Sequence, residues 1–180
     1  MSGSSKSSLQ INEVGSHDYA VRAKLNAQSG DVTLAMSLDF NTPREKIVKE
    51  VAGKRYMGAL LTSDAIKTSR LLLRKLRADG AKTLNVTGNS ISTLVIHNLT
   101  QEKANEQVYA VLSPVHKLYP IRKIFSGGSS GVDLAAAVCG MVLGIETVVT
   151  TPTDLKQVTI DQIQYGAGQL KKHLRTTEAA

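Results

Sequence analysis

The chain has no tryptophan, two phenylalanines and one cysteine among its 180 residues. The lone Cys139 rules out an intramolecular disulfide and suits a reducing compartment, so a cytoplasmic location is the expectation. One cysteine and four scattered histidines give no zinc-type ligand set, and no metal or cofactor is expected. With so few aromatics, aliphatic side chains must build the core. Five tyrosines are present, but they do not interleave with the basic residues. A stacking platform for single-stranded nucleic acid is therefore not expected. The longest apolar run is too short to span a bilayer, and the first residues lack the apolar stretch of a secretory signal.

What is present is ordinary apolar content, 42%, with an excess of positive charge. Twenty-two basic residues stand against 15 acidic ones, a formal charge of +7. An anionic partner follows from that balance, either nucleic acid or a phosphorylated small molecule. The length suits one domain with a sizeable core.

The densest signal is Ile124 to Thr151, IFSGGSSGVDLAAAVCGMVLGIETVVTT. Residues 121–125 read as a buried strand, 126–131 as a loop of six small residues, 132–143 as an apolar helix and 145–151 as the next strand. This is one βαβ unit. Glycines in such a loop let backbone approach a ligand, and the serines offer hydroxyls. The first N–H groups of the following helix favour a phosphate or carboxylate. The bland alternative is a tight turn with Asp133 as a capping carboxylate.

SGGSSGVDLAAAVCGMVLGI resembles the second glycine-rich loop of the SLOG superfamily, in the branch that reads SGG-x-x-G-x-D before an Ala-rich helix. The match covers roughly residues 80 to 152. The resemblance implies a Rossmann-like fold that binds nucleotides or nucleotide-derived signals. It also implies a tendency to form homo-oligomers. A small stand-alone protein of this kind could sequester a signalling nucleotide, as viral antagonists of nucleotide-based immunity do. Relatives that release a base from a nucleoside monophosphate carry PGG-x-GT-x-x-E. Here the Pro is Ser126, the GT is Gly131-Val132, and that Glu has no equivalent. No catalytic residue is therefore assigned, and nucleotide N-glycosidase or hydrolase chemistry is kept as an alternative. A DNA-processing factor also uses this fold, so nucleic-acid binding is a further alternative, less favoured.

The rest of the chain fits the same frame. Residues 1–30 read as a flexible or weakly ordered segment, and 31–180 as a single α/β domain with a mostly parallel sheet flanked by helices. A strand over 32–40 leads to a helix opened by Thr42, Pro43 and Glu45, a capping-box pattern, and closed by Gly53. Thr42, Arg44 and Lys46 put a hydroxyl and two cations at that helix start, read as a capped helix with solvated charges. A strand over 56–61 precedes a helix capped by Ser63 and ended by Gly80. On that helix Lys67, Arg70, Arg74 and Arg77 form a basic stripe, read as a solvated face.

The strand over 82–86 enters a second small-residue loop, 87–93, which the resemblance makes the first ligand loop. A helix over 100–118 follows, with Thr100 as cap and Pro114 as a kink. A final helix is expected over 159–174. Ligands in such sheets bind beyond the carboxyl ends of the strands, where both loops fall. The expected ligand contacts are Gly88, Asn89, Ser90 and Thr93 from one loop, and Ser126, Gly127, Gly128, Ser129, Ser130 and Gly131 from the other. Asp133 either accepts from a ribose hydroxyl or fixes the loop.

Overall fold

A computed structural model describes residues 8–153 together with 157–158 and 164–165. Its centre is a six-stranded, all-parallel sheet in the order β1-β6-β5-β4-β2-β3. The strands are β1 (Leu9–Val14), β2 (Val32–Ser37), β3 (Tyr56–Leu60), β4 (Thr83–Gly88), β5 (Lys123–Gly127) and β6 (Glu146–Pro152). The helices are α1 (Tyr19–Ser29), α2 (Pro43–Ala52), α3 (Ala65–Asp79), α4 (Ile91–Ile96), α5 (Gln101–Leu118) and α6 (Val132–Val142).

The order dictates the layers. Crossovers between parallel strands are right-handed. Steps from β1 to β2 and from β2 to β3 run one way along the sheet, and the later steps run the other way. So α1 and α2 share one face, while α3, α5 and α6 share the opposite one; the packing of α1 on α2, α3 on α5 and α5 on α6 agrees. Without β1, the order is that of the flavodoxin-like doubly wound sheet, whose direction reverses here between β2 and β4. This is a Rossmann-like α/β domain.

Both sheet faces are covered, so the central strands read as continuous apolar runs. All six residues of β2 are buried. Leu34, Met36, Leu84, Val86 and Ile124 from the sheet join Leu72, Leu76, Val108, Leu112 and Ala136 from the helices in the main core. Cys139 lies in this core, and burial pushes its thiol up to about 12, an inert group. No helix among the described residues is long and apolar enough to cross a membrane.

The helix ends follow local chemistry. The Thr42 side chain accepts the Glu45 N–H at 3.3 Å, Pro43 opens α2, and Gly53 closes it at φ 53°. Thr100 caps α5 by accepting from the Lys103 N–H. Gly80 closes α3 in the left-handed region, but its cap is Asp64 rather than Ser63. Asp64 accepts the Lys67 N–H at 2.7 Å, while the Ser63 hydroxyl donates to the Leu60 carbonyl.

Three expectations change. The domain begins at Leu9, not Asp31: β1 pairs with β6 along its length and α1 packs on α2, so 9–29 belongs to the fold. The short α4 takes up residues read as loop. The expected final helix falls largely outside the described residues, and the pair Gln164–Tyr165 within it is extended, paired antiparallel with Gln157–Val158.

Candidate functional site

The two small-residue loops meet at the carboxyl edge of the sheet and bond to each other. Ile91 N–H donates to the Ser130 carbonyl at 3.0 Å, and Val132 N–H to the Asn89 carbonyl at 3.2 Å, making an antiparallel bridge between Ser90 and Gly131. The Gln101 amide brackets Gly131, accepting its N–H at 2.6 Å and donating to its carbonyl at 2.8 Å. Leu134 N–H donates to the Ser129 carbonyl at 3.1 Å. The N–H groups of Gly131, Val132 and Leu134, at the start of α6, are thus occupied by the protein itself.

Several expected contact residues are built into this scaffold. Asn89 is buried, and its side chain accepts the Leu38 and Asp39 N–H groups at 2.6 and 3.0 Å while donating to the Asp39 carbonyl. That capture ends β2 at Ser37 rather than residue 40. Ser126 is fully buried, its hydroxyl directed at the Val86 and Asp133 carbonyls. Gly131 stands at φ 108°, which an L side chain rarely adopts. Ser90 bonds Ser92 at 2.8 Å, and Thr93 lies half-buried within α4. Ser130 is buried in the seam.

Of the other expected residues, Gly127, Gly128, Ser129 and Asp133 converge on one cleft, while Gly88 lies against the Met36 carbonyl and Val132. Asp133 is held by α6 on one face of the sheet, yet its carboxylate reaches the other face. It passes over Gly127, where an added Cβ would collide with Asp133 Oδ2. On the far side it forms an ion pair with Arg44 and accepts from the Thr87 hydroxyl at 3.2 Å. The Arg44 guanidinium stacks 4.3 Å from the Tyr19 ring centroid, and that of Arg22 lies 5.5 Å from it. Arg22 is tied back by the Ser16 and His17 carbonyls.

Burial raises the Asp133 pKa, opposed chiefly by Arg44. Burial alone would weaken Arg44's hold on its proton, but Asp133 outweighs it and the guanidinium keeps its charge more firmly than usual. With the two groups in direct contact, the ionised pair is the resting state at neutral pH. Burial, then the Asp133 charge, holds the Tyr19 phenol neutral.

The cleft lies beneath Gly127–Ser129 on the α1 side, with Tyr19, Arg22, Asn26, Asn85 and Thr87 on its walls. Its free space is about 10 Å³, room for one water. Asn85 Oδ1 is buried in this wall without a hydrogen-bond partner among the described residues, while its Nδ2 donates to Thr33. A donor entering the cleft would satisfy it.

Glu45 adds a second buried carboxyl. Its backbone completes the Thr42 cap, but its side chain turns inward, 1% exposed, with neither oxygen hydrogen-bonded among the described residues. The Ser37 hydroxyl adjoins it, also without a sound hydrogen bond. Burial raises the Glu45 pKa, so folding favours the protonated acid. Its stabilising contribution is complete below the ordinary glutamate value and is lost as pH rises through the folded one. Urea melts of Glu45→Gln should therefore show the variant gaining on wild type as pH rises above the ordinary glutamate value. A pH-independent difference would contradict this.

Tyr19, Arg22, Asn26 and Asn85 do not stand out in the sequence, and Arg44 reads there as a solvated charge. One signal was available. Asp133 sits in an otherwise apolar helix, and a buried carboxylate demands a cation.

No family model and no curated protein matches the chain. Among solved structures, N-(5′-phosphoribosyl)anthranilate isomerase from Pyrococcus furiosus is similar at 11% identity, covering 97% of this chain and 100% of that one, with a TM-score of 0.25. A likeness at that level carries no argument about fold or function.

Proposed function

We propose that the chain binds an anionic, nucleotide-derived small molecule at the carboxyl edge of its sheet, as the SLOG superfamily it resembles does, and holds it without converting it. The observation that carries this reading is the convergence on one cleft of the glycine-serine loop, Arg22 over the Tyr19 ring, and the buried Asp133 carboxylate that Arg44 neutralises. Arg22 and Ser129 supply donors for phosphate. Asn85 Oδ1 supplies an unsatisfied acceptor for a small donor group of the ligand reaching into the cleft. Both oxygens of Asp133 are already engaged, by Arg44 and by Thr87, which suits holding better than turnover. Sequestration of a signalling nucleotide, including a viral anti-defence role, is the biological form of this reading. A cytoplasmic setting fits the reduced, buried Cys139.

A hydrolase or nucleotide N-glycosidase is the second reading. Burial raises the Glu45 carboxyl above its usual range, the direction a general acid needs, although its side chain does not line the cleft. Self-association completes the proposal: Ile96 and Val95, 77% and 46% exposed on α4 beside the seam, offer a contact. A monomer by light scattering at micromolar concentration would count against it.

Mass spectrometry of the supernatant from denatured protein should reveal a nucleotide-derived species. Calorimetry with AMP, ADP, cyclic nucleotides and ADP-ribose should then identify a binder. Arg22→Ala should weaken it by about 1.5–3 kcal/mol, the worth of a hydrogen bond to a charged group. Gly128→Val should weaken it further by filling the cleft. Equal binding by wild type and both variants would place the ligand elsewhere. Free base in the mixture would favour the hydrolase.

A further inference from the structure

On the opposite face from the cleft, α3 and α5 leave a groove of about 210 Å³. Its walls are apolar: Ile66 and Leu73 from α3, and Pro114, Val115 and Leu118 from α5. Ile66 is 63% exposed and Leu118 64%, so two large aliphatic side chains face water at the groove. The groove is preformed. The Ser69 hydroxyl lies 2.9 Å from the Val111 carbonyl across it and 2.7 Å from the Ala65 carbonyl of its own helix, its one proton shared between them, which ties the two helices together.

The α3 wall carries the basic stripe. Lys67, Arg70, Arg74 and Arg77 are all exposed, and Arg70 itself lines the groove. From Lys67 to Arg77 the stripe runs along about 15 Å of helix. No acidic side chain interrupts α3 from Ala65 to Ala78. An apolar trough with one basic lip selects a complement with an apolar seam and acidic flanks.

We propose that this groove docks an acidic amphipathic helix from a partner protein, its apolar residues spaced i, i+4, i+7 in the trough and its carboxylates on the α3 stripe. Charge decides against the other occupants. The chain's last fifteen residues carry Lys171, Lys172, His173 and Arg175 against Glu178 alone, and its first eight carry Lys6 and no acid. Neither end complements a basic lip. A second copy related by a two-fold axis would bring Arg70 and Arg74 near their own equivalents.

The test uses fluorescence anisotropy with the full chain and two labelled synthetic helices of about four turns. Both have the same leucine spacing, one with glutamate flanks and one with lysine flanks. The glutamate peptide should bind, more weakly as salt is raised, and the lysine peptide should not. Leu118→Asp and Ile66→Ser, both at exposed positions, should each weaken the glutamate peptide about tenfold or more. Arg70→Glu/Arg74→Glu should reverse the preference toward the lysine peptide. Thermal melts confirm that each variant is folded. Failure of wild type to bind the glutamate peptide would overturn the proposal, as would equal binding by wild type and Leu118→Asp. A dimer by sedimentation that dissociates in Leu118→Asp would assign the groove to a second copy instead and overturn it too. Nucleotide binding at the carboxyl edge is read separately and is independent of every outcome here.

Discussion

Replacing Arg44 with leucine is expected to lower stability by about 3–5 kcal/mol, because it leaves Asp133 buried without its counter-ion. The side chains of the pair are 15% and 2% exposed, so water does not screen the loss. In a domain of this size the melting temperature should fall by about 6–20 °C. Arg44→Leu/Asp133→Leu should recover most of the loss, since removing both charges removes the desolvation penalty together with the attraction. Urea melts of the two single variants and the double variant measure the coupling. A double variant as unstable as the sum of the singles would show that the two residues do not act as a unit. Gly127→Ala tests the same contact from another side. Its methyl group would occupy the path of the Asp133 carboxylate, so it should destabilise although it touches neither charge chemically.

Gly88→Ala should cost about 3 kcal/mol or more, at the upper end for a small-to-large change. An added Cβ would collide with the Met36 carbonyl and lie 2.8 Å from Val132 Cβ. The Met36 oxygen belongs to β2 backbone, paired with β4 at this position, and cannot swing aside as a side chain does. Gly15→Ala is the control. Nothing lies within 4 Å of its Cβ and its φ is not positive, so its effect should stay within about 0.5 kcal/mol. Equal melts for the two variants would show that β2 and β4 separate freely at the switch point.

These two sites mark where the sequence was informative and where it was not. Helix ends were legible because their causes are local: Thr42 before Pro43, Gly53, Gly80 and Thr100 each act within a few residues. The βαβ unit around the glycine loop was legible for the same reason. A second role of the glycines was not: Gly88, at the end of β4, makes room for the Met36 carbonyl, and Gly127 makes room for Asp133. Those neighbours are set by strand order and by a side chain crossing the sheet, which no short window contains. Arg44 and Asp133 are 89 positions apart. The N-terminal segment was missed for a different reason. β1 is an edge strand with no fully buried residue, and α1 buries only Ala23, Asn26 and Ala27, so neither carries a strong apolar period.

The pairing of β1 with β6 constrains how the protein is made. Of the strands in the sheet β1 leaves the ribosome first, and its partner among the described residues, β6, leaves last. Leu9 meets Thr147, and Val14 meets Pro152. Throughout synthesis, β1 must wait unpaired while β2, β3, β4 and β5 become available to each other. The edge it finally covers is that of β6, so the sheet cannot be completed until β6 has emerged. Joining the two strands in sequence by circular permutation would turn this longest-range pairing into a local one and remove the wait.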